Sequence, residues 1–397
     1  MNTGRRDFIK KSILGFAGAT LIPAITFNQN PVNSPHGRRK FICRKLGKTN
    51  IALPIISMGV MNADNPNLVS AALDAGIVHL DTAWVYQRGR NEEMIGRVIK
   101  GRLRESFTIA TKIWEPKDNR TGEFLPGAAE NKYIEKCEES LSRLNLKHVD
   151  ILYSHDIATK NAVLFEPYLN ALLKLKRQGK ARFIGVSTHR NEPEVIRAAM
   201  ESGVYDVVLT SYNFKQRHHQ EIAEAAAEAA KAGLGIVGMK AIAGFVQNIG
   251  KQVQVNAKAA LKWAMQNENI HTNVPGFTNF LQLEEDLSVM EDLRLTLDEK
   301  SDLEKHKQLA GLFCQNCGEC RPQCPAGVDV PIVMRSYMYA MGYGNLQTAQ
   351  DAIDMAGRPI LSCPDCHVCQ VQCSQGFDVR QRALDLLGLP SGSICFG

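Results

Sequence analysis

The chain has 397 residues, 44% hydrophobic and 22% charged, with a formal net charge of +6. That length leaves room for one large domain and a smaller one, and the composition is that of an ordinary soluble globular protein. Arg5, Arg6, Lys10 and Lys11 against Asp7 supply +3 of the charge, and what remains is too little to point to a nucleic-acid partner.

The N-terminus reads "TGRRDFIKK", followed by an apolar run from Ser12 to Phe27 that Gly15, Gly18 and Pro23 interrupt. The run is short for a membrane-spanning helix and suits the apolar region of an export signal. Paired arginines, an aromatic, an aliphatic and two lysines resemble a twin-arginine signal. That resemblance implies residues 1–30 as a signal, 31–40 as a linker, and the twin-arginine translocase as a partner. It also implies a periplasmic location, or one on the outer face of a membrane. A disordered basic terminus is the plainer alternative.

From residue 41 to 305 the chain alternates short β-branched runs with longer amphipathic stretches. The runs are "IISMGV", "VHLDTA", "FTIATK", "DILYSH", "RFIGVS", "VVLTSY", "GIVGMK" and "TNVPGF". Helical patterns such as "NPNLVSAALDAG", "NKYIEKCEESLSRLNL" and "QEIAEAAAEAAKAG" lie between them. Eight strand–helix units over this length predict an α/β fold, a (β/α)8 TIM barrel, with its chemistry at the carboxyl ends of the strands. Asp81, Lys112, His155, Ser187 and Lys240 end such runs. "GLGIVG" fits G-x-G-x-x-G, but it enters a strand instead of opening a helix after one, so it is no dinucleotide fingerprint.

Beyond a helix starting "LTLDEKSDLEKHK", composition shifts to Cys, Pro, Met and Gln, which sets off a second domain over 306–397. Cys314, Cys317, Cys320 and Cys324 have C-x2-C-x2-C-x3-C spacing, and Cys363, Cys366, Cys369 and Cys373 repeat it 49 positions later. "GVDV" becomes "GFDV" at the same offset, which marks an internal duplication. Three thiolates at this spacing can wrap one face of a [4Fe–4S] cube, while the fourth reaches the other cluster. On that pattern Cys314, Cys317, Cys320 and Cys373 hold one cluster, and Cys363, Cys366, Cys369 and Cys324 hold the other. A zinc ribbon would leave the third and fourth cysteines of each run unused. "VPIVMRSYMYAMG" and "LQTAQDAIDMAG" predict two helices between the motifs, an arrangement that resembles an α-helical ferredoxin domain.

"RKLGKTNIALPIISMGV", "DAGIVHLDTAWVY", "NEEMIGRVIKG", "IATKIW", "DILYSHD" and "GKARFIGVS" come in the order and spacing of the aldo/keto reductase family, which this barrel resembles over nearly its whole length. The resemblance implies a catalytic tetrad of Asp81, Tyr86, Lys112 and His155. Reducing a carbonyl by hydride leaves charge on oxygen, so a proton donor must stand beside it. Lys112 is expected to draw the Tyr86 phenol below its usual pKa of about 10. Asp81 would hold Lys112, and His155 would orient the substrate oxygen.

For the nicotinamide, the resemblance implies Ser187 and Thr188, with Leu209 and Met239 where the family commonly has Gln and Tyr. Lys240 is a candidate phosphate or substrate contact. Gly276 and Thr278 would lie near the dinucleotide phosphates, and Glu285 and Asp286 near the adenine. Gly276 and Gln282 occupy positions often basic in NADP users, so NADP is not expected to be preferred over NAD. Trp84 and Trp114 are expected to wall the substrate pocket.

The combination predicts an exported oxidoreductase that exchanges hydride between a tightly held NAD(P) and a carbonyl or alcohol, sugar-like molecules among the candidates, and carries two [4Fe–4S] clusters. A redox protein is a candidate partner. The alternative is an iron–sulfur electron-transfer protein whose barrel serves mainly as a substrate or partner scaffold.

Overall fold

The computed structural model describes residues 40–118, 121–243, 245–248, 251–308, 314, 317–355, 359–366 and 368–389. The proposed signal and nearly all of the linker lie outside them.

All eight runs form parallel strands: β1 Met58–Gly59, β2 His79–Asp81, β3 Thr108–Ile113, β4 Val149–Ser154, β5 Ala181–Thr188, β6 Val207–Ser211, β7 Gly235–Met239 and β8 Thr272–Asn273. Each pairs with the next in sequence, and the ring closes where the Ser57 N–H donates to Asn273 O at 2.8 Å and the Asn273 N–H to Ile55 O at 2.9 Å. Helices return the chain between strands, among them α1 Pro66–Asp74, α2 Arg90–Ile99, α3 Glu130–Leu144, α4 Glu166–Arg177, α5 Glu192–Ser202, α6 His219–Lys231, α7 Ala257–Met265 and α8 Phe280–Glu291.

Side chains alternate across each strand, and both faces of the barrel wall are dry. Ala110, Ile151, Tyr153, Val207, Leu209 and Val237 fill the inside, while Ile109, Leu152, Ile184, Val208 and Ile236 meet the helices. The floor is an antiparallel hairpin, Cys43–Lys45 with Ala52–Pro54, whose Leu46 and Leu53 are completely buried. "GLGIVG" finds its purpose here. A Cβ on Gly235 would sit 2.6 Å from Leu46 Cγ, so this glycine exists to admit the plug. After β7 the backbone makes an unexpected hairpin, Phe245–Asn248 with Lys251–Gln254.

Helix α9, Leu297–Gln308, crosses the expected boundary at 305 and leads to the second unit. There, α10 Val330–Tyr337 runs into a π-helical turn, Met338–Gly342, and packs with α11 Leu346–Met355 and α12 Val379–Leu387. The duplication is visible in the backbone. Asp329 caps α10 by accepting the Ile332 N–H, and Asp378 caps α12 by accepting the Gln381 N–H. Gly327 and Gly376, each three residues after the last cysteine of its run, take φ values of 71° and 75°.

Candidate active site

Lys112 reaches the barrel interior because it alternates with Thr111, whose hydroxyl turns outward to Glu92 of α2. In the interior its ammonium donates to Asp81 Oδ1 at 2.5 Å and to Thr82 O at 2.6 Å, with Tyr86 Oη at 3.4 Å. His155 directly follows β4, and its ring stands edge-on to Tyr86 with centroids 6.0 Å apart. The structure therefore brings Asp81, Tyr86, Lys112 and His155 together at one mouth of the barrel.

Electrostatics assign the protons. Lys112 stays an ammonium: burial opposes its charge, but Asp81 and Tyr86 outweigh that and raise its pKa. Burial raises the Tyr86 pKa although Lys112 pulls it down. The sequence alone suggests that the lysine wins, but desolvation of the phenolate is the larger effect. His155 is held neutral, well below its usual range, by burial and then by Lys112. The mouth thus holds a protonated phenol and a neutral imidazole over a fixed ammonium.

Backbone strain gathers at this end. Gln87, Arg88, Asp156, Asn191, Lys240 and Ala243 all adopt positive φ between 51° and 59°, and such outliers concentrate at functional sites. The turn after Tyr86 is pinned from two sides. Gln87 Nε2 donates to Met61 O at 3.1 Å. Arg88 crosses to α11, pairing with Asp351 at 2.5 Å and Asp354 at 2.8 Å.

The residues assigned to nucleotide binding fall into two groups. Ser187 and Thr188 end β5 fully buried. The Ser187 hydroxyl accepts the Asp156 N–H at 3.0 Å, and Thr188 donates to Arg190 O at 2.8 Å. Leu209 and Met239 are buried beside them, and Lys240 stands exposed at the end of β7. Across the mouth Gly276 is open: a Cβ there would meet only Gly59 O, at 3.5 Å. Thr278 is exposed just ahead of α8, whose Asn279 cap accepts the Gln282 N–H at 2.9 Å. Glu285 is half-buried. Asp286 is turned inward, and burial raises its carboxyl pKa well above the usual range. Trp84 is not a pocket wall: its indole donates to Glu139 at 2.6 Å on α3, and Lys136 lies over its ring. Trp114 carries the Lys117 ammonium 5.3 Å from its ring centroid.

The C-terminal unit sits on this same mouth. Met61, beyond β1, packs into its apolar core and meets Tyr339 Oη at 3.8 Å. Asn345 donates to Asn62 at 3.2 Å, and beyond β6 Arg217 reaches Ser374 O at 3.5 Å. The cysteines separate into two sets. Cys320 is pushed up to about 12 by burial, then by the neighbouring thiols of Cys314, Cys317 and Cys373. Cys363 is pushed up to about 11 by burial, then by Cys324, Cys366 and Cys369. Val328, Val330, Val333, Val371 and Ala383 line a cavity with that second set. Two thiol foursomes lined by aliphatic side chains fit two [4Fe–4S] clusters in the crossed arrangement. No group of three or more His, Cys, Asp or Glu among the described residues is drawn close enough for a single metal ion.

Arg335 of α10 and His189 and Arg190 beyond β5 complete the mouth, and the motifs did not single them out. Arg335 comes from the other end of the chain, and nothing local in its sequence announces it.

Residues 57–253 match the model of the aldo/keto reductase family, and residues 313–378 that of a 4Fe-4S dicluster domain. The chain is 29% identical over 214 residues to a probable aldo-keto reductase of Glycine max, covering 53% of this chain and 60% of that one. It is 30% identical over 162 residues to the L-glyceraldehyde 3-phosphate reductase of Escherichia coli, covering 38% and 46%. The chain thus spans less than two thirds of the length of these relatives. An aldo-keto reductase structure from Bacillus halodurans shares the barrel, with a TM-score of 0.55 at 20% identity over 67% of this chain and 96% of that one. The chain therefore carries an oxidoreductase domain of the aldo/keto reductase family, joined to a C-terminal 4Fe-4S dicluster domain.

Proposed function

We propose that the protein exchanges hydride between NAD(P) and a small carbonyl or alcohol at the barrel mouth, and carries two [4Fe–4S] clusters on the same face. The observation that carries this reading is the buried Lys112–Asp81 pair 3.4 Å from a protonated Tyr86. When bound, NAD(P) supplies or accepts the hydride. Its phosphates would lie at Gly276 and Thr278, in the open space ahead of α8, with half-buried Glu285 toward the adenine and Asp286 buried behind it. Ser187, Thr188 and Lys240 border the nicotinamide end.

The protein's own residues handle the proton. Tyr86 Oη donates it to the substrate oxygen in reduction and receives it in oxidation. Lys112 stabilises the phenolate left behind, Asp81 keeps Lys112 charged and in place, and neutral His155 donates a hydrogen bond that orients the substrate oxygen. The two cysteine sets would hold the clusters, which would supply one-electron transfer to a redox partner.

Export by the twin-arginine route is part of the proposal. Clusters and a held nucleotide must be inserted into a folded protein, and this route carries folded cargo. The test is to purify the mature protein anaerobically, assay released nucleotide, and follow NAD(P)-dependent turnover over a carbonyl panel. Bound nucleotide or turnover supports the reading. Finding neither would overturn it in favour of the electron-transfer alternative.

A further inference from the structure

The mouth carries more positive charge than its carboxylates answer. Lys117, Arg190, Lys240 and Arg335 all act electrostatically on Asp156 or share it as their acidic neighbour. Glu115, Glu192 and Asp329 also act on these cations, but like Asp81 each already holds a partner, Glu192 holding His218 at 2.8 Å. Asp81 holds Lys112, Glu115 holds Lys136 at 2.9 Å, and Asp329 holds Arg321 at 3.3 Å. Desolvation of the ammonium groups, with Arg190 adding to it at Lys117 and Arg335 at Lys240, pushes both down to about 8 against the pull of Asp156.

The interface geometry brings the helix of Arg335 onto the barrel mouth. Arg335 lies four residues before Tyr339, so the two share one face of the continuous helical segment, and Tyr339 Oη rests on Met61 of the barrel. From there Arg335 acts on Tyr86, His155, His189 and Lys240. Tyr86, Asp156, His189 and Arg335 are only half-buried and Lys240 is exposed, so all five stay accessible where the two units meet. Neither Arg335 nor Lys240 donates a side-chain hydrogen bond to an acceptor among the described residues, and the Arg190 Nε is buried without one.

We propose that the C-terminal domain completes the barrel's active site, with Arg335 and Lys240 binding an anionic substituent of the substrate, so that carboxylated carbonyl compounds or alcohols are preferred over neutral ones. This rests on the reading of the barrel mouth as the substrate site. Two other anions could answer the same cations. One is the dinucleotide pyrophosphate; the other is the cluster held in part by Cys314, whose thiol also acts on Lys240 and Arg335. Arg190 lies beside Gly318 of the first cysteine run and also answers the cluster, whereas Lys117 faces Asp156 on the β4–β5 side.

Equilibrium binding to the anaerobically purified holoprotein tests this with matched probes: D-glucuronate against D-glucose, pyruvate against acetone, and succinic semialdehyde against butanal. At least one acid is expected to bind about tenfold or more tightly than its neutral partner, as charge-assisted hydrogen bonds allow. Arg335→Gln should abolish that preference and Arg335→Lys should retain part of it, with iron content and ADP-ribose affinity unchanged. No preference in any pair overturns the proposal, as does a preference that survives Arg335→Gln. It is also overturned if Arg335→Gln weakens ADP-ribose equally, or changes only the cluster potential. An acid preference without turnover on any carbonyl would leave this proposal standing and sink the reductase reading.

Discussion

Lys112 answers to three groups at once: it is neutralised by Asp81, donates to the Thr82 carbonyl, and leans on Tyr86. The phenol beside it remains protonated through neutral pH because burial outweighs the lysine. Two consequences follow for pH. Reduction needs the phenol, which burial holds above its usual pKa, so its maximal rate with a neutral carbonyl should stay flat between about pH 6 and 9. Oxidation needs the phenolate, so its rate should climb about tenfold per pH unit over that range. A reduction rate that falls away on the alkaline side, below pH 9, would contradict the raised phenol. Tyr86→Phe should lower turnover by about 10²–10⁴-fold with thermal unfolding and iron content unchanged. The four tetrad positions were legible through the family motifs that carry them, with Asp81, Lys112 and His155 at strand ends and Tyr86 on the turn beyond β2. The direction of the Tyr86 shift was not, because it depends on burial, which only the packed mouth defines.

At the scale of elements, the turn after Tyr86 holds Gln87, Arg88 and Gly89 successively at φ 52°, 56° and 89°. Non-glycine residues in that region cost roughly 1–3 kcal/mol each and persist only when their surroundings hold them. Here α11 contributes through the two carboxylates that grip Arg88, and Gln87 adds its bond to Met61 O. Arg88→Ala should therefore lower turnover several-fold while leaving the unfolding midpoint nearly unchanged, since the side chain is half-exposed and its pairs contribute about 1 kcal/mol or less. Steady-state kinetics beside a thermal melt would check it, and unaltered turnover would separate the turn from the chemistry. The eight strands were legible because their apolar runs are bounded by helical periodicity. The hairpin over 245–254 was not, because its "FVQN" and "KQVQ" segments carry too few apolar residues to mark a strand. Trp84 misled for a different reason. Its neighbours in the motif face the mouth, but its own position on the turn points the indole back to α3.

For the molecule as a whole, the consequence of the fold is that the dicluster domain stands on the barrel mouth that gathers Asp81, Tyr86, Lys112 and His155. It reaches the loops after β1, β2 and β6. The duplication and the two cysteine foursomes were readable from spacing alone, but their docking site was not, because the contacts join residues more than 150 positions apart. Crossed ligation can be counted. Cys363→Ser with Cys324→Ser strikes one cluster and should leave about four irons per chain, whereas Cys363→Ser with Cys373→Ser strikes both and should leave nearly none. Equal iron in the two double variants would contradict the crossed arrangement.

The central claim, that the tetrad directs hydride between NAD(P) and a carbonyl, is tested most directly by an isotope. The holoprotein would reduce the best carbonyl of the panel with NAD(P)H dideuterated at its nicotinamide C4, and the product would be read by mass spectrometry and NMR. One deuterium is expected on the former carbonyl carbon, formed far more slowly in Tyr86→Phe. Product whose new C–H hydrogen comes from solvent, at a rate that follows cluster content, would contradict it and show the barrel to be a scaffold for electron transfer.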